Sequence, residues 1–289
     1  MEVGEEVGEE VEEADKVIHQ EFLTRIIQFN WQPASYVDAS WLAPWLSREQ
    51  LAAIKSHTDA TRTLNRFLLE EPEPLADVPS DAFSDPVLQL LLWIMQKPTL
   101  QEPSDDLNPI VLFAGLALHH RRIKQIICGH QQRQLKTAIG DDGYRFALER
   151  AQFMVGSLCE SLTVEDWHLD AASLAGRDPV SREPDNKDAD NRDANSRSLV
   201  DRKGVQSGLI DTGLTLLAFA TETLPEQAQR RLMYYFHIEQ ADKLKNHWRC
   251  GFHHYVKEAD KAQGLRARAQ GLLFRIAQEL NPQWIPVLV

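Results

Sequence analysis

Asn108-Pro109-Ile110-Val111-Leu112-Phe113-Ala114-Gly115-Leu116-Ala117-Leu118-His119-His120-Arg121-Arg122 is the stretch on which the fold class turns. Ile110 to Leu118 is the longest apolar run, nine residues, about half of the roughly 20 that a membrane-spanning helix needs. It reads as a buried helix. Asn108 offers a capping side chain and Pro109 takes the first helical position, where an N–H would have no partner in any case. The bases that follow stand where the negative end of a helix dipole favours them, and Gly129 breaks a helix expected over 109–127.

The same signals recur on both sides. Ile18, Phe22, Ile26 and Phe29 repeat every three to four residues, the stripe of a short amphipathic helix that Pro33 ends. Ser47-Arg48-Glu49-Gln50 has capping-box form, and Leu51, Ile54, Leu64 and Leu68 carry a helix over about 48–70. Asp85-Pro86 opens another near 86–96. Further helices are expected near 131–139, stopping at Gly140, and over 142–159, with Phe146, Arg150 and Phe153. Thr163-Val164-Glu165-Asp166 has the form of a cap for a short one. Helical patterning resumes over 205–222, Pro225 begins the next helix, Ala241 to Leu280 holds one or two more, and the last nine residues, with Pro282 and Pro286, finish extended. Period-two alternation is almost absent. The expected fold class is all-α, a compact multi-helix domain.

Composition is that of a globular chain, with 43% hydrophobic and 8% aromatic residues. The net charge of −12 is unevenly placed: residues 1–15 hold eight acids and no base, leaving 31 bases against 35 acids in the other 274 residues. Without a basic excess, counterion release cannot supply generic nucleic-acid affinity, and an anionic membrane surface is disfavoured. Cys128, Cys159 and Cys250 have no CxxC spacing, so they make neither a disulfide framework nor a zinc ribbon and fit a reducing compartment. The acidic N-terminus lacks the basic and apolar regions of a secretory signal. A cytoplasmic location is expected.

Residues 1–15 are too acidic and too poor in apolar side chains to fold, and are expected as a disordered tail. Glu71 to Ser84, with Pro72, Pro74 and Pro79, is expected as a surface connector. Between Arg177 and Arg197 the only large apolar residue is Val180, so 176–203 is expected as a flexible charged linker or loop. The expected organisation is a main helical region over 16–175 and a C-terminal helical region over 204–289 packed on it.

Few residues suggest chemistry. His247, Cys250 and His254 would share one helix face and offer three metal ligands. A structural zinc needs four, and no HExxH or paired carboxylate completes the set. The plainer reading is a helix whose His and Trp pack on a neighbour, so no metal and no cofactor are assigned. Ser157 and Cys159 lie in no nucleophile motif. Gly140-Asp141-Asp142-Gly143 reads as a turn between helices, and Gly204 to Gly208 lacks the Lys-Ser/Thr pair of a phosphate loop. Arg121, Arg122 and Lys124 form the densest basic cluster. They are candidates to meet an acidic partner surface; the alternative is a solvated helix end.

Three stretches carry a resemblance: Phe29 to Leu42 (FNWQPASYVDASWL), Leu116 to Gly156, and Val205 to Phe236. In wording and order they resemble the SctK (YscK, OrgA) proteins of bacterial type III secretion systems. The strongest anchors are Pro33-Ala34-x-Tyr36, Leu118-His119, Ile123, the Leu135 to Ile139 helix and a turn at Gln206-Ser207-Gly208-Leu209. Phe29, Pro33, Tyr36, Trp41, Leu118, Ile123, Phe146, Gly208 and Leu209 read as structural positions. The acidic tail and the charged linker depart from the family pattern.

The resemblance implies a non-enzymatic, mostly helical cytosolic adaptor of the sorting platform. It implies partners in the cytoplasmic domain of the inner-membrane ring protein and in the cytoplasmic pod (C-ring) protein, and indirectly in the ATPase and its stator. The membrane is then reached through partners only. Two other classes stay open at this point, a free helical secretion chaperone or regulator, and a metal-dependent enzyme built around His247, Cys250 and His254.

Overall fold

Capping chemistry fixes where several helices begin. A computed structural model describes residues 20–70, 76–94, 109–156, 158, 190–250 and 262–280. Helix α1 spans 20–31 and gives way at Pro33 to a short 3-10 turn, Pro33–Ser35, followed by a second, Ala39–Trp41. Helix α2 (Arg48–Lys55) starts on a complete capping box: Ser47 Oγ accepts from the Gln50 N–H, and Gln50 Oε1 accepts from the Ser47 N–H at 2.8 Å. The single helix expected over 48–70 is two, because the chain breaks at Ser56 and His57 before α3 (Thr58–Glu70). Ser56 Oγ bonds the Ala53 carbonyl at 2.7 Å, the kind of hydroxyl-to-backbone competition that ends helices.

Helix α4 (Pro86–Ile94) starts where Asp85 Oδ1 accepts from the N–H groups of Val87 and Leu88. Helix α5 (Pro109–Lys124) is buried without interruption from Ala114 to His120, so it presents no solvent face there. Helix α6 (Gly129–Arg145) is kinked at Gly140, whose φ of 77° suits glycine and confirms the expected break. A π-turn at Phe146–Arg150 leads into α7 (Ala151–Val155), closed by Gly156 at φ 54°. Helix α8 (Asp190–Ala220) reaches back into the stretch expected as a linker. From Asp185 to Lys203 there is neither proline nor glycine, so nothing stops a helix rooted in 205–220 from propagating backward. Gln206-Ser207-Gly208-Leu209, expected as a turn, lies inside this helix. Helices α9 (Glu226–Met233), α10 (Ile238–Cys250) and α11 (Ala262–Leu280) complete the order, and no strand occurs among the described residues. The acidic tail, residues 176–189, the cap at 163–166 and the last nine residues lie outside the described residues.

The described residues sort into two compact units. One is drawn from within Met1–Asp106 and Thr221–Lys245, the other from within Leu107–Ala220 and Asn246–Leu280. In the first unit, Ala34, Val37, Leu42, Leu51, Leu64 and Leu68 make one apolar cluster, with Trp41, Ile54 and Tyr234 against it. The segment around Pro33-Ala34-x-Tyr36 is where distant chain returns. The Tyr36 ring stacks on Tyr235 at 4.2 Å, the Asp38 N–H donates to the Tyr234 carbonyl at 2.7 Å, and Trp41 Nε1 donates to the Phe236 carbonyl at 2.9 Å. Burial raises both phenols, so they stay protonated.

Arg231, fully buried, would be costly as an isolated charge. It donates instead to the carbonyls of Asn30, Ala76 and Gln227. Asn30 Oδ1 in turn accepts from the Val78 N–H at 3.1 Å. Part of the expected surface connector is therefore interior, with Val78 and Ala82 buried.

The second unit is organised around α5 and α8. An added Cβ at Gly115 would lie 2.0 Å from the Leu209 carbonyl oxygen, and one at Gly213 would lie 1.9 Å from that of Val111. The two helices thus touch backbone to backbone at two glycines. Helices α6, α7 and α11 pack around this pair. Rings of Phe113 and Phe146 meet at 4.7 Å, and Arg150 pairs with Glu279.

Candidate functional site

The end of α5 brings the basic cluster to a surface in the second unit. Just before it, His119 and His120 are both buried. Thr212 Oγ1 donates to the Gly208 carbonyl at 3.0 Å, so its lone pair accepts the proton on His119 Nε2 at 2.9 Å. Nδ1 of His119 is then unprotonated, buried and without a hydrogen-bond partner. Burial, with the Arg122 charge adding to it, pushes this imidazole down to about 3. Burial also lowers His120, whose Nδ1 meets the Ala117 carbonyl at 2.7 Å. Neither histidine is poised as a general acid or base near neutral pH.

Beyond them Arg121 and Lys124 are exposed and Arg122 is half-buried. A tight turn follows, with the Gln125 and Ile126 N–H groups bonded to the Arg122 and Ile123 carbonyls, and Gln132 Nε2 bonded to the Ile126 carbonyl at 2.9 Å. This turn holds Ile127 outward at 88% exposure. Lys124 Nζ donates to Gln152 Oε1 at 2.5 Å, which brings the start of α7 beside the cluster. The next residue, Phe153, is 77% exposed. The bases Arg121 and Lys124 are thus exposed in the same unit as two outward apolar side chains, Ile127 and Phe153. Sequence reading found the bases but not the apolar pair, since Ile127 sits in a loop and Phe153 looked like part of a buried helical stripe.

The residues that carried the resemblance lie mostly inside. Phe29, Pro33, Tyr36, Leu118, Ile123, Phe146, Gly208 and Leu209 are buried, and Trp41 is half-buried. Of the metal candidates, His247 faces α8, where Thr215 Oγ1 donates to the Asp211 carbonyl and accepts from His247 Nε2 at 3.2 Å. Trp248 Nε1 donates to the Ala218 carbonyl at 3.1 Å. Cys250 is exposed and His254 lies outside the described residues. Among the described residues, no three His, Cys, Asp or Glu side chains are grouped to hold a metal ion. Nor, among them, is any helix long and apolar enough to cross a membrane.

No curated protein and no solved structure matches the chain. A family model does, the one described as YOP proteins translocation protein K (YscK), over residues 23–288. That match runs through all three stretches that carried the resemblance and through both compact units. The chain belongs to the YscK family of type III secretion proteins.

Proposed function

We propose that this protein is a non-enzymatic adaptor of a type III secretion sorting platform. It joins the cytoplasmic domain of the inner-membrane ring protein to the cytoplasmic pod protein, and through the pod it serves the ATPase and its stator. It works at the cytoplasmic face of the inner membrane, held there by its partners, and platform assembly and secretion depend on it. Membership of the YscK family across 23–288 carries this reading. The helical surfaces support it: Arg121, Arg122 and Lys124 suit an acidic partner face, where charge complementarity sets register and encounter rate more than raw affinity.

Affinity capture of the tagged chain from its native bacterium, with crosslinking and mass spectrometry, tests it. Joint enrichment of the ring protein, the pod protein and the stator is expected. Enrichment of exported substrates alone would point to a chaperone instead.

A further inference from the structure

Between His119 and Gly140 the chain carries Arg121, Arg122, Lys124, Arg133 and Lys136 and no carboxylate, in a protein of net charge −12. Two of these bases flank the turn between α5 and α6: Lys124 ends α5 and Arg133 lies in the second turn of α6, both exposed. Among the described residues their charged groups meet only neutral partners. Lys124 Nζ donates to Gln152 Oε1 at 2.5 Å, and Arg133 Nε donates to the Gly129 carbonyl at 3.3 Å. Arg133 is thereby folded back to the start of α6, where the positive end of the helix dipole adds to its charge. Consecutive Cα atoms stand about 3.8 Å apart, which keeps the Cα of Gly129 within about 7.6 Å of that of Ile127. Ile127 is 88% exposed, and its backbone is held on both sides. Before it, the Gln125 and Ile126 N–H groups bond the Arg122 and Ile123 carbonyls. After it, Gln132 reaches back to the Ile126 carbonyl with its side chain and to the Cys128 carbonyl with its N–H.

We propose that this corner is a docking knob: Ile127 enters an apolar socket on a partner protein, and carboxylates on the rim of that socket meet Lys124 and Arg133. Charge complementarity fixes the chemistry of the rim, since a neutral or basic one would take both cations out of water without a counter-charge. The fixed turn means that little conformational freedom is lost when Ile127 is covered. An anionic bilayer would supply negative charge but no socket shaped to one side chain. On the adaptor reading, which this deepens and on which it rests for the source of the partner, the socket belongs to a platform protein. Its chemistry follows from the corner alone.

The test uses the full-length chain with benzoylphenylalanine in place of Gln125, exposed in the same turn, irradiated in the native bacterium and mapped by mass spectrometry. Adducts are expected on a segment of one platform protein rich in Asp and Glu. I127A should lower their yield about tenfold, the effect of truncating an anchor, and K124Q/R133Q should lower it as much. Both variants change exposed side chains only, so their thermal unfolding midpoints should match that of the parent, and a lost adduct then reports docking rather than folding. Adducts on a segment without carboxylates, adducts joining two copies, a yield indifferent to both variants, or no adduct at all would overturn the proposal. So would flotation of the purified chain with phosphatidylglycerol vesicles that is lost in I127A, the sign of a bilayer as occupant. Adducts on an acidic segment of a protein outside the platform, lost in both variants, would uphold the socket and sink the adaptor reading. Platform proteins captured without any crosslink from this turn would do the reverse.

Discussion

Replacing Arg231 with Met keeps most of the side-chain volume but takes away the donor that the Asn30 and Ala76 carbonyls share. Leaving buried acceptors unsatisfied costs about 1–3 kcal/mol each, so R231M should lower stability by about 3 kcal/mol, read from the urea midpoint. His119 makes a different prediction, about pH. Its imidazole is lowered in the folded protein to about 3 from an ordinary 6.5, so the unfolded chain binds a proton that the folded chain refuses. Stability from this group is complete above pH 6.5 and drains away as pH falls toward 3. H119Q should flatten the fall in stability over that window, by up to about 1.4 kcal/mol per pH unit. Unfolding midpoints measured at several pH values would show it, and an unchanged slope would mean that His119 is not the group responsible. Neither side chain announced these roles in sequence. Arg231 sits among helical text with another arginine beside it, and His119 beside two arginines looked like part of a charged helix end rather than its interior.

The α5–α8 contact depends on two glycines, and the sign of a substitution follows from what surrounds each position. G115A drives a methyl into the Leu209 carbonyl, where backbone rather than a flexible side chain would have to move. Overpacking of this kind typically costs about 1–3 kcal/mol, and the upper end is expected for G115A and for G213A. Gly264, in α11, has nothing within 4 Å of an added Cβ, so G264A should gain some of the roughly 1 kcal/mol by which alanine exceeds glycine in helices. Thermal unfolding of the three variants separates close packing from intrinsic propensity. Helix starts at Ser47 and Asp85 and the break at Gly140 were legible because caps and turn glycines act through a few neighbouring residues. The continuity of α8 through Gly204 and Gly208 was not, because glycine signals a turn locally but here lies within a helix that approaches another backbone closely. For the surface at Arg121 and Lys124, charge was visible in sequence while exposure of Ile127 and Phe153 depends on tertiary packing.

The first unit cannot be cut out of the chain as one piece. Its core needs Tyr234, Tyr235 and the Arg231 guanidinium alongside Phe29, Tyr36 and Trp41. A fragment of residues 16–175, the piece that reading along the chain would isolate, should therefore lack a cooperative unfolding transition for this unit. Adding residues 204–289 in trans should restore the Tyr36–Tyr235 stack, detected by near-ultraviolet circular dichroism. The all-α class was legible from periodicity, but this pairing was not, since nothing local in Pro33-Ala34-x-Tyr36 names a partner two hundred residues away. Bonds such as Trp41 to Phe236, 195 residues apart, also set a schedule for biosynthesis. At about 5–20 residues per second, a ribosome takes on the order of 10–40 s to pass from one to the other. During that interval the nascent N-terminal helices stand with their aromatic faces uncovered, a natural point of engagement for the cell's holding chaperones.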